Sequence, residues 1–378
     1  MSNLVRYIHN QVVADLKHKM VLIGGPRQVG KTTFALSLLK PPSIEHPAYL
    51  NWDDSEDKRL IKSSTLPMQE PLIVLDEIHK YKNWRNLIKG FYDKKRLSHQ
   101  FLITGSARLD HYSKGGDSLL GRYHFFRLHP LTVGELKMQS NSEIQDLLTF
   151  GGFPDPFFRA EEVFAKRWRR ERLRRVLQED LRDLENVREI SLLESLLDLL
   201  PKTVGSGLSY QSLAQEVEVD IKTVQKWVSI FDNLYLTFRI SPFFAPKLRL
   251  VKKAQRLYFW DWGGLENSGA KFENLVASQL IKFCHFVEDT EGDRMELKYI
   301  RDIDGREIDF IVVKNRKPIF AVECKVGERA ASPHLYYFKE RTQIPYFYQV
   351  HLGKNHFSPE KGIEVIPYLK FCEQLKLP

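Results

Sequence analysis

The stretch Gly25-Pro26-Arg27-Gln28-Val29-Gly30-Lys31-Thr32 fits the pattern G-x-x-x-x-G-K-[ST] at every fixed position. It lies between an apolar run, Met20–Ile23, and a helical run, Thr33–Leu39, so a strand, a tight loop and a helix are expected in succession. Glycines let the backbone wrap close to an anion, and loop N–H groups at a helix N-terminus bind phosphate oxygens. Residues Gly25 to Thr33 are therefore the expected ATP-binding residues. Lys31 would place its charge on the β- and γ-phosphates, and Thr32 would ligate Mg2+. A phosphate loop of this kind calls for a parallel α/β sheet, and the runs Pro71–Leu75 and Gln100–Thr104 supply two further buried strands.

The second strand ends in Leu75-Asp76-Glu77. Asp76 is expected to help hold Mg2+ and Glu77 to polarise the attacking water. The third ends in Thr104-Gly105-Ser106, where Thr104 or Ser106 would sense the γ-phosphate. Downstream, Arg122 and Arg127 offer an arginine that could reach a neighbour's nucleotide, a contact that contributes about 10³–10⁵ in rate. Arg122 is the favoured finger, and such a role would need a homo-oligomer.

Composition sets the outer bounds. At roughly 100–200 residues per domain, the 378 residues make two to four domains. With 43% hydrophobic and 28% charged residues, the chain is neither disordered nor collagen-like. Cys284, Cys324 and Cys372 are too few and scattered for a disulfide scaffold. No apolar run approaches the ~20 residues of a membrane span. The N-terminus, with Arg6, His9, Asp15 and Lys17, lacks a signal-peptide core, so a cytoplasmic protein is expected. Lys and Arg number 57 against 48 Asp and Glu, and the net charge of +9 suits a polyanion partner.

The loop Gly25–Thr33, Leu75-Asp76-Glu77-Ile78-His79, Thr104-Gly105-Ser106 and Gly121-Arg122 resemble the AAA+-like P-loop ATPases of bacteria and archaea. More narrowly they are similar to the branch with a C-terminal domain of unknown function, and the resemblance extends through Gly151-Gly152-Phe153-Pro154 to the final domain. Asp76-Glu77-Ile78-His79 also spells the D-E-x-H of a helicase family. That family needs a second recombinase-like domain, and none is legible after residue 135.

Residues 136–204 read as a helical lid or linker, with a dense basic stretch from Lys166 to Arg175. Residues 205–245 fit a winged helix. Ser209 would cap a helix over Tyr210–Val217 that buries Leu213, Ala214 and Val217. Asp220 would cap the next, with Ile221, Val224, Trp227, Val228 and Phe231 as its core stripe. Its opposite face carries Lys222, Thr223, Gln225, Lys226 and Ser229, which suits contacts to DNA. Tyr235–Ile240 and the basic residues Lys247, Arg249, Lys252 and Lys253 would form the wing.

Residues 246–378 return to strands. Gly305–Val313 and Ile319–Lys325 are expected to pair around a turn at Lys314–Pro318, with Val313 opposite Ile319 and hence Asp309 opposite Glu323. Strand alternation puts Lys325 on the face of Glu323 and Cys324 on the other. Like charges directly opposite are destabilising, so the pair asks for a proton or a cation, supplied by Lys325 or a metal. This Asp…Glu-x-Lys arrangement resembles the PD-(D/E)xK restriction-endonuclease-like fold, with Ile308 where proline often stands. The resemblance implies that Asp309 and Glu323 hold Mg2+ or Mn2+, that Lys325 orients a nucleophile, and that Glu273 matches the acidic residue of the first helix.

The expected fold is thus a multidomain α/β chain. It comprises an ATPase core over 1–135, a helical lid over 136–204, a winged helix over 205–245 and a nuclease-like domain over 246–378. The expected function is Mg2+-dependent ATP hydrolysis coupled to DNA binding, with metal-dependent DNA cleavage at the C-terminus left open. The alternative is a nucleotide-gated switch whose C-terminal domains bind protein or DNA without cutting it.

Overall fold

A computed structural model describes residues 4–67, 69–96, 98–105, 119–180, 190–245, 248, 250 and 254–378. Ser106 and the basic wing residues Lys247, Arg249, Lys252 and Lys253 lie outside the described residues. The chain divides after His129 into two compact units, 1–129 and 130–378. The segments expected as lid, winged helix and nuclease-like domain all belong to the second unit.

In the first unit five parallel strands stand in the order β2-β3-β4-β1-β5: β1 Met20–Gly24, β2 Tyr49–Asn51, β3 Leu72–Asp76, β4 Gln100–Thr104 and β5 Tyr123–Arg127. Every residue of β1 and β3 is buried, which is why these strands read as unbroken apolar runs. Helices α1 His9–Asp15, α2 Lys31–Leu36, α3 Ser55–Lys62 and α4 Trp84–Lys95 accompany the sheet. Helix α3 starts where the Asp54 carboxylate accepts the N–H groups of Glu56 and Asp57. Because β4 inserts between β1 and β3, Thr104 is in register with both Ile23 and Asp76. That register brings the phosphate loop and the acidic strand end to one edge, the carboxyl ends where such sheets bind ligands.

The second unit holds an eight-stranded mixed sheet in the order β12-β13-β11-β10-β9-β8-β6-β7. Its strands are β6 Thr237–Pro242, β7 Arg256–Phe259, β8 Met295–Arg301, β9 Glu307–Lys314, β10 Lys317–Lys325, β11 Phe347–His351, β12 Phe357–Glu360 and β13 Ile363–Pro367. Among its helices are α5 Asn141–Phe150, α6 Glu162–Arg175, α7 Ile190–Leu199, α8 Tyr210–Val217, α9 Ile221–Asn233, α10 Ser268–Glu291, α11 Pro333–Arg341 and α12 Tyr368–Gln374.

Helices α8 and α9 have the expected bounds and caps: Ser209 accepts from the Ser212 N–H, and Asp220 from the Lys222 and Thr223 N–H groups. Their apolar faces join α7 and Leu257 in one core. Ile221 departs from the expected stripe. It opens α9 ahead of the first packed turn and is 44% exposed. Strand β6 pairs with β7 antiparallel and with β8 in parallel, so it is an inner strand of the large sheet.

The β9–β10 hairpin is tighter than expected. Asn315 and Arg316 both take left-handed backbone, at φ 50° and 68°, so a two-residue turn replaces the five-residue one. Val313 faces Pro318 rather than Ile319. A bulge between Pro318 and Phe320 then resets the ladder to Val322 opposite Phe310, and one residue further Glu323 falls opposite Asp309.

A fully buried lysine ties α10 to the start of this unit. Lys282 Nζ donates to Thr132 Oγ1 at 2.7 Å and to the Pro130 carbonyl at 3.3 Å, and pairs with Glu135. Lys282→Met removes one partner of a buried ion pair and should cost about 3–5 kcal/mol. Adding Glu135→Leu should recover most of the loss. Urea unfolding of the full chain measures both, and a single variant as stable as wild type would refute the pairing.

Candidate nucleotide site and carboxylate cluster

The phosphate loop is built on backbone that side chains would obstruct. Gly25 has φ +144°, and a Cβ there would lie 2.3 Å from the Leu128 carbonyl oxygen. Gly30, at φ +97°, turns the chain into α2. Pro26 and Val29 are buried, Arg27 and Gln28 are half-buried, and Thr33 faces outward on α2. Buried Lys31 donates from Nζ to the carbonyls of Gly25 at 3.0 Å and Pro26 at 2.7 Å. Phosphate oxygens can accept from the same ammonium in place of those carbonyls. Buried Arg6 pins the loop from outside it, donating to the Val29 carbonyl at 2.9 Å and to that of His129.

Asp76 is the hub of the site, with 2% of its surface exposed. Thr32 Oγ1 donates to its Oδ2 at 2.7 Å, the Tyr49 hydroxyl to the same oxygen at 2.8 Å, and Thr104 Oγ1 to Oδ1. Burial, and then the Asp76 charge, push the Tyr49 phenol far above its usual range, so it serves as a fixed donor. A threonine hydroxyl in contact with a carboxylate is a hard oxygen pair that fits Mg2+.

Glu77 follows in left-handed backbone at φ 56°, and its N–H bonds the Thr104 carbonyl at 3.1 Å. Its carboxylate lies 3.5 Å from Lys80 Nζ and 3.7 Å from His79 Nε2. Burial raises its pKa, and Lys31 and Lys80 oppose that rise, which suits a group that must accept a proton. Arg122 stands elsewhere. It precedes β5 at the sheet end where Met20 begins β1, opposite the loop, and its Nε and Nη2 bond Asp93 of α4 at 2.8 and 3.3 Å. Arg127 is the arginine in register with Gly24.

In the second unit Asp309, Glu323 and Lys325 come together as expected, with Glu273 of α10 beside them, but they converge on a residue the sequence did not single out. Arg256, first on β7 and 1% exposed, reaches Glu307 Oε2 at 2.5 Å, Asp309 Oδ1 at 3.5 Å and Glu273 Oε1 at 3.9 Å. Tyr258 donates to Glu273 Oε1 at 2.8 Å, and the Cys324 N–H to Asp309 Oδ2 at 2.8 Å. Lys325 Nζ holds Glu323 Oε1 at 2.7 Å. Tested against the metal that Asp309 and Glu323 were expected to bind, this arrangement does not fit: two protein cations already engage the carboxylates.

Burial, and then the charge of Asp309, push Glu323 and Glu273 each up to about 8. Burial raises Asp309 too, against the opposing charge of Arg256. Glu273 and Glu323 therefore hold protons in the folded chain at pH values where the unfolded chain has lost them. Their contribution to stability is complete below the ordinary carboxylate range and is lost as pH rises through about 8. The urea midpoint of the second unit should fall between pH 5 and 8, and Glu323→Gln should flatten that fall. Equal slopes for the two proteins would sink the assignment.

Three stretches of the chain match known protein families. Residues 17–137 match the family described as an AAA domain, while 141–268 and 268–371 match two domains of unknown function, DUF8612 and DUF4143. An uncharacterized Mycobacterium tuberculosis protein is 24% identical over 320 residues, covering 79% of this chain and 71% of its own length. One from Methanocaldococcus jannaschii is 22% identical over 351 residues, covering 83% and 76%. Among solved structures, Aeropyrum pernix ORC1 in complex with DNA aligns with 73% of this chain and 93% of its own, at TM-score 0.33 and 14% identity. The Thermotoga maritima RuvB Holliday junction branch migration motor aligns with 61% and 88%, at TM-score 0.30 and 15% identity. The family match and the loop geometry agree: the N-terminal part of the chain is an AAA+-like P-loop domain.

Proposed function

We propose that the chain binds and hydrolyses ATP with Mg2+ and uses the nucleotide state to govern its hold on DNA. The observation that carries this reading is the Asp76 carboxylate shared by Thr32 and Thr104 beside a buried Lys31. Lys31 exchanges loop carbonyls for β- and γ-phosphate oxygens, and Thr32 and Asp76 are the residues that would hold Mg2+. The ion's chemistry is to neutralise charge on those phosphates. Glu77 takes the proton of the attacking water, while Thr104 reports the γ-phosphate to Asp76. Lys31→Ala should abolish ATP turnover in a phosphate-release assay. Unchanged turnover would remove the assignment.

For the second unit we read α8, α9, β6 and β7 as a winged-helix element. The order α10, β8, β9, β10, α11, β11, with β10 and β11 parallel, supports a restriction-endonuclease-like scaffold. Binding without cleavage is the reading favoured for that scaffold, because Arg256 sits among its carboxylates.

The DNA footprint is placed on α6 and α9. Helix α6 exposes Lys166, Arg167, Arg170, Arg174 and Arg175, and α9 exposes Lys222, Gln225 and Lys226. Phosphate contacts release counterions, each contributing about 0.9 to the slope of log affinity against log salt. Arg170→Ala with Arg174→Ala should thus flatten that slope by about 2. Anisotropy of a labelled duplex titrated across a KCl series reads it, and an unaltered slope would take α6 out of the footprint.

A further inference from the structure

We infer that Arg256 is the resident cation of the C-terminal carboxylate cluster, that it excludes a divalent metal ion, and that the scaffold therefore binds its ligand without metal-dependent cleavage. Three side chains from two elements meet its guanidinium: Glu273 of α10, and Glu307 and Asp309 of β9. Its guanidinium also stacks over the Tyr299 ring of β8, with Cζ 4.5 Å from the ring centroid, a cation–π contact. A guanidinium buried this deeply leaves water only when several carboxylates replace its hydration, so Arg256 is bound to the cluster as tightly as the cluster to it. Its planar fork also holds carboxylate oxygens at geometries that a compact ion cannot share. A divalent ion on Asp309 and Glu273 would have to sit beside the like charge of a buried guanidinium.

A second feature shows what the guanidinium suppresses. Glu323 is 3% exposed, and its Oε2 has no hydrogen-bond partner among the described residues, while Lys325 engages only Oε1. Buried carboxylate oxygens are normally satisfied. With Arg256 in place this oxygen gains no cation. Without it, Glu273, Asp309 and Glu323 become three acidic side chains with spare oxygen donors, the set a hard divalent ion takes. One buried arginine thus decides whether the cluster is an ion-pair lock or a metal site. All residues concerned belong to the second unit, so the inference stands independently of ATP binding at the phosphate loop.

Mn2+ titration of the full chain without nucleotide, followed by electron paramagnetic resonance, tests it. Every protein carries Asp76→Ala so that the phosphate loop contributes no site. The chain with Arg256 should bind no stoichiometric Mn2+, whereas Arg256→Met, which keeps the side-chain volume, should bind one ion per chain. That ion should be lost again on adding Glu323→Gln, and Arg256→Lys, which keeps the charge, should bind none. The inference is overturned if the chain with Arg256 binds one Mn2+ that Glu323→Gln removes. It is equally overturned if a folded Arg256→Met chain, judged by circular dichroism, binds none. Should Arg256→Met fail to fold, the chain with Arg256 decides alone: a Glu323-dependent ion overturns the inference, and its absence upholds it.

Discussion

A carboxylate removed from water must be given back the hydrogen bonds it lost, and the first unit is arranged around one such group. Asp76 is almost wholly buried, and the hydroxyls of Thr32, Tyr49 and Thr104 converge on it from α2, β2 and β4. Only the strand order delivers them. With β4 between β1 and β3, Thr104 stands in register with Asp76, and β2 on the outer side brings Tyr49 within reach. A hydroxyl can turn away at little cost, so a carboxylate held in this way can be shared with an incoming ion. The partner chemistry makes this a site that can change state.

The second unit solves the same problem with opposite consequences. Asp309 and Glu323 are also buried, but their partners are Arg256 and Lys325. Removing either ion from such a cluster leaves an uncompensated charge in the interior, which is far costlier than turning a hydroxyl. Glu273 and Glu323, each pushed up to about 8 chiefly by burial, add protons to the same balance. Three carboxyls and a lysine brought together by the fold are therefore insufficient grounds for metal-dependent chemistry. What stands among them decides.

What the sequence made legible was local. Spacing alone placed Lys31, Thr32 and the strand end at Asp76, because phosphate loops and buried strands are contiguous patterns. Ser209 and Asp220 marked the starts of α8 and α9 because a cap acts within three residues. The missing participants act across the chain. Arg6 reaches Val29, Tyr49 reaches Asp76, and Arg256 reaches Glu307, separations of 23, 27 and 51 residues. None carries a local pattern, and each depends on strand order or on a helix crossing a sheet. The β9–β10 hairpin shows an intermediate case. Asp309 and Glu323 face each other as the register expected from the sequence has them, but the turn has two residues rather than five, and only the bulge at Ile319 restores the pairing. Ile221 failed for a simpler reason: periodicity identifies a stripe but not where packing along it begins.

The chain's positive excess gains meaning from the same distinction between held and unheld charge. On α6, Arg169 is spent on Asp261 at 3.1 Å and on the Phe150 carbonyl at 3.0 Å. Arg172 is buried over the Phe153 ring, with Cζ 4.2 Å from its centroid, and donates to the Tyr235 carbonyl at 3.3 Å. These two fix the helix in the unit. Lys166, Arg170 and Arg174 recur every fourth residue on another face and remain in solvent. One helix thus carries structural arginines and surface cations on separate faces. Removing the surface set subtracts charge without unpairing anything buried, whereas removing Arg172 would breach the core. Net charge alone treats these residues as equivalent, but burial separates them.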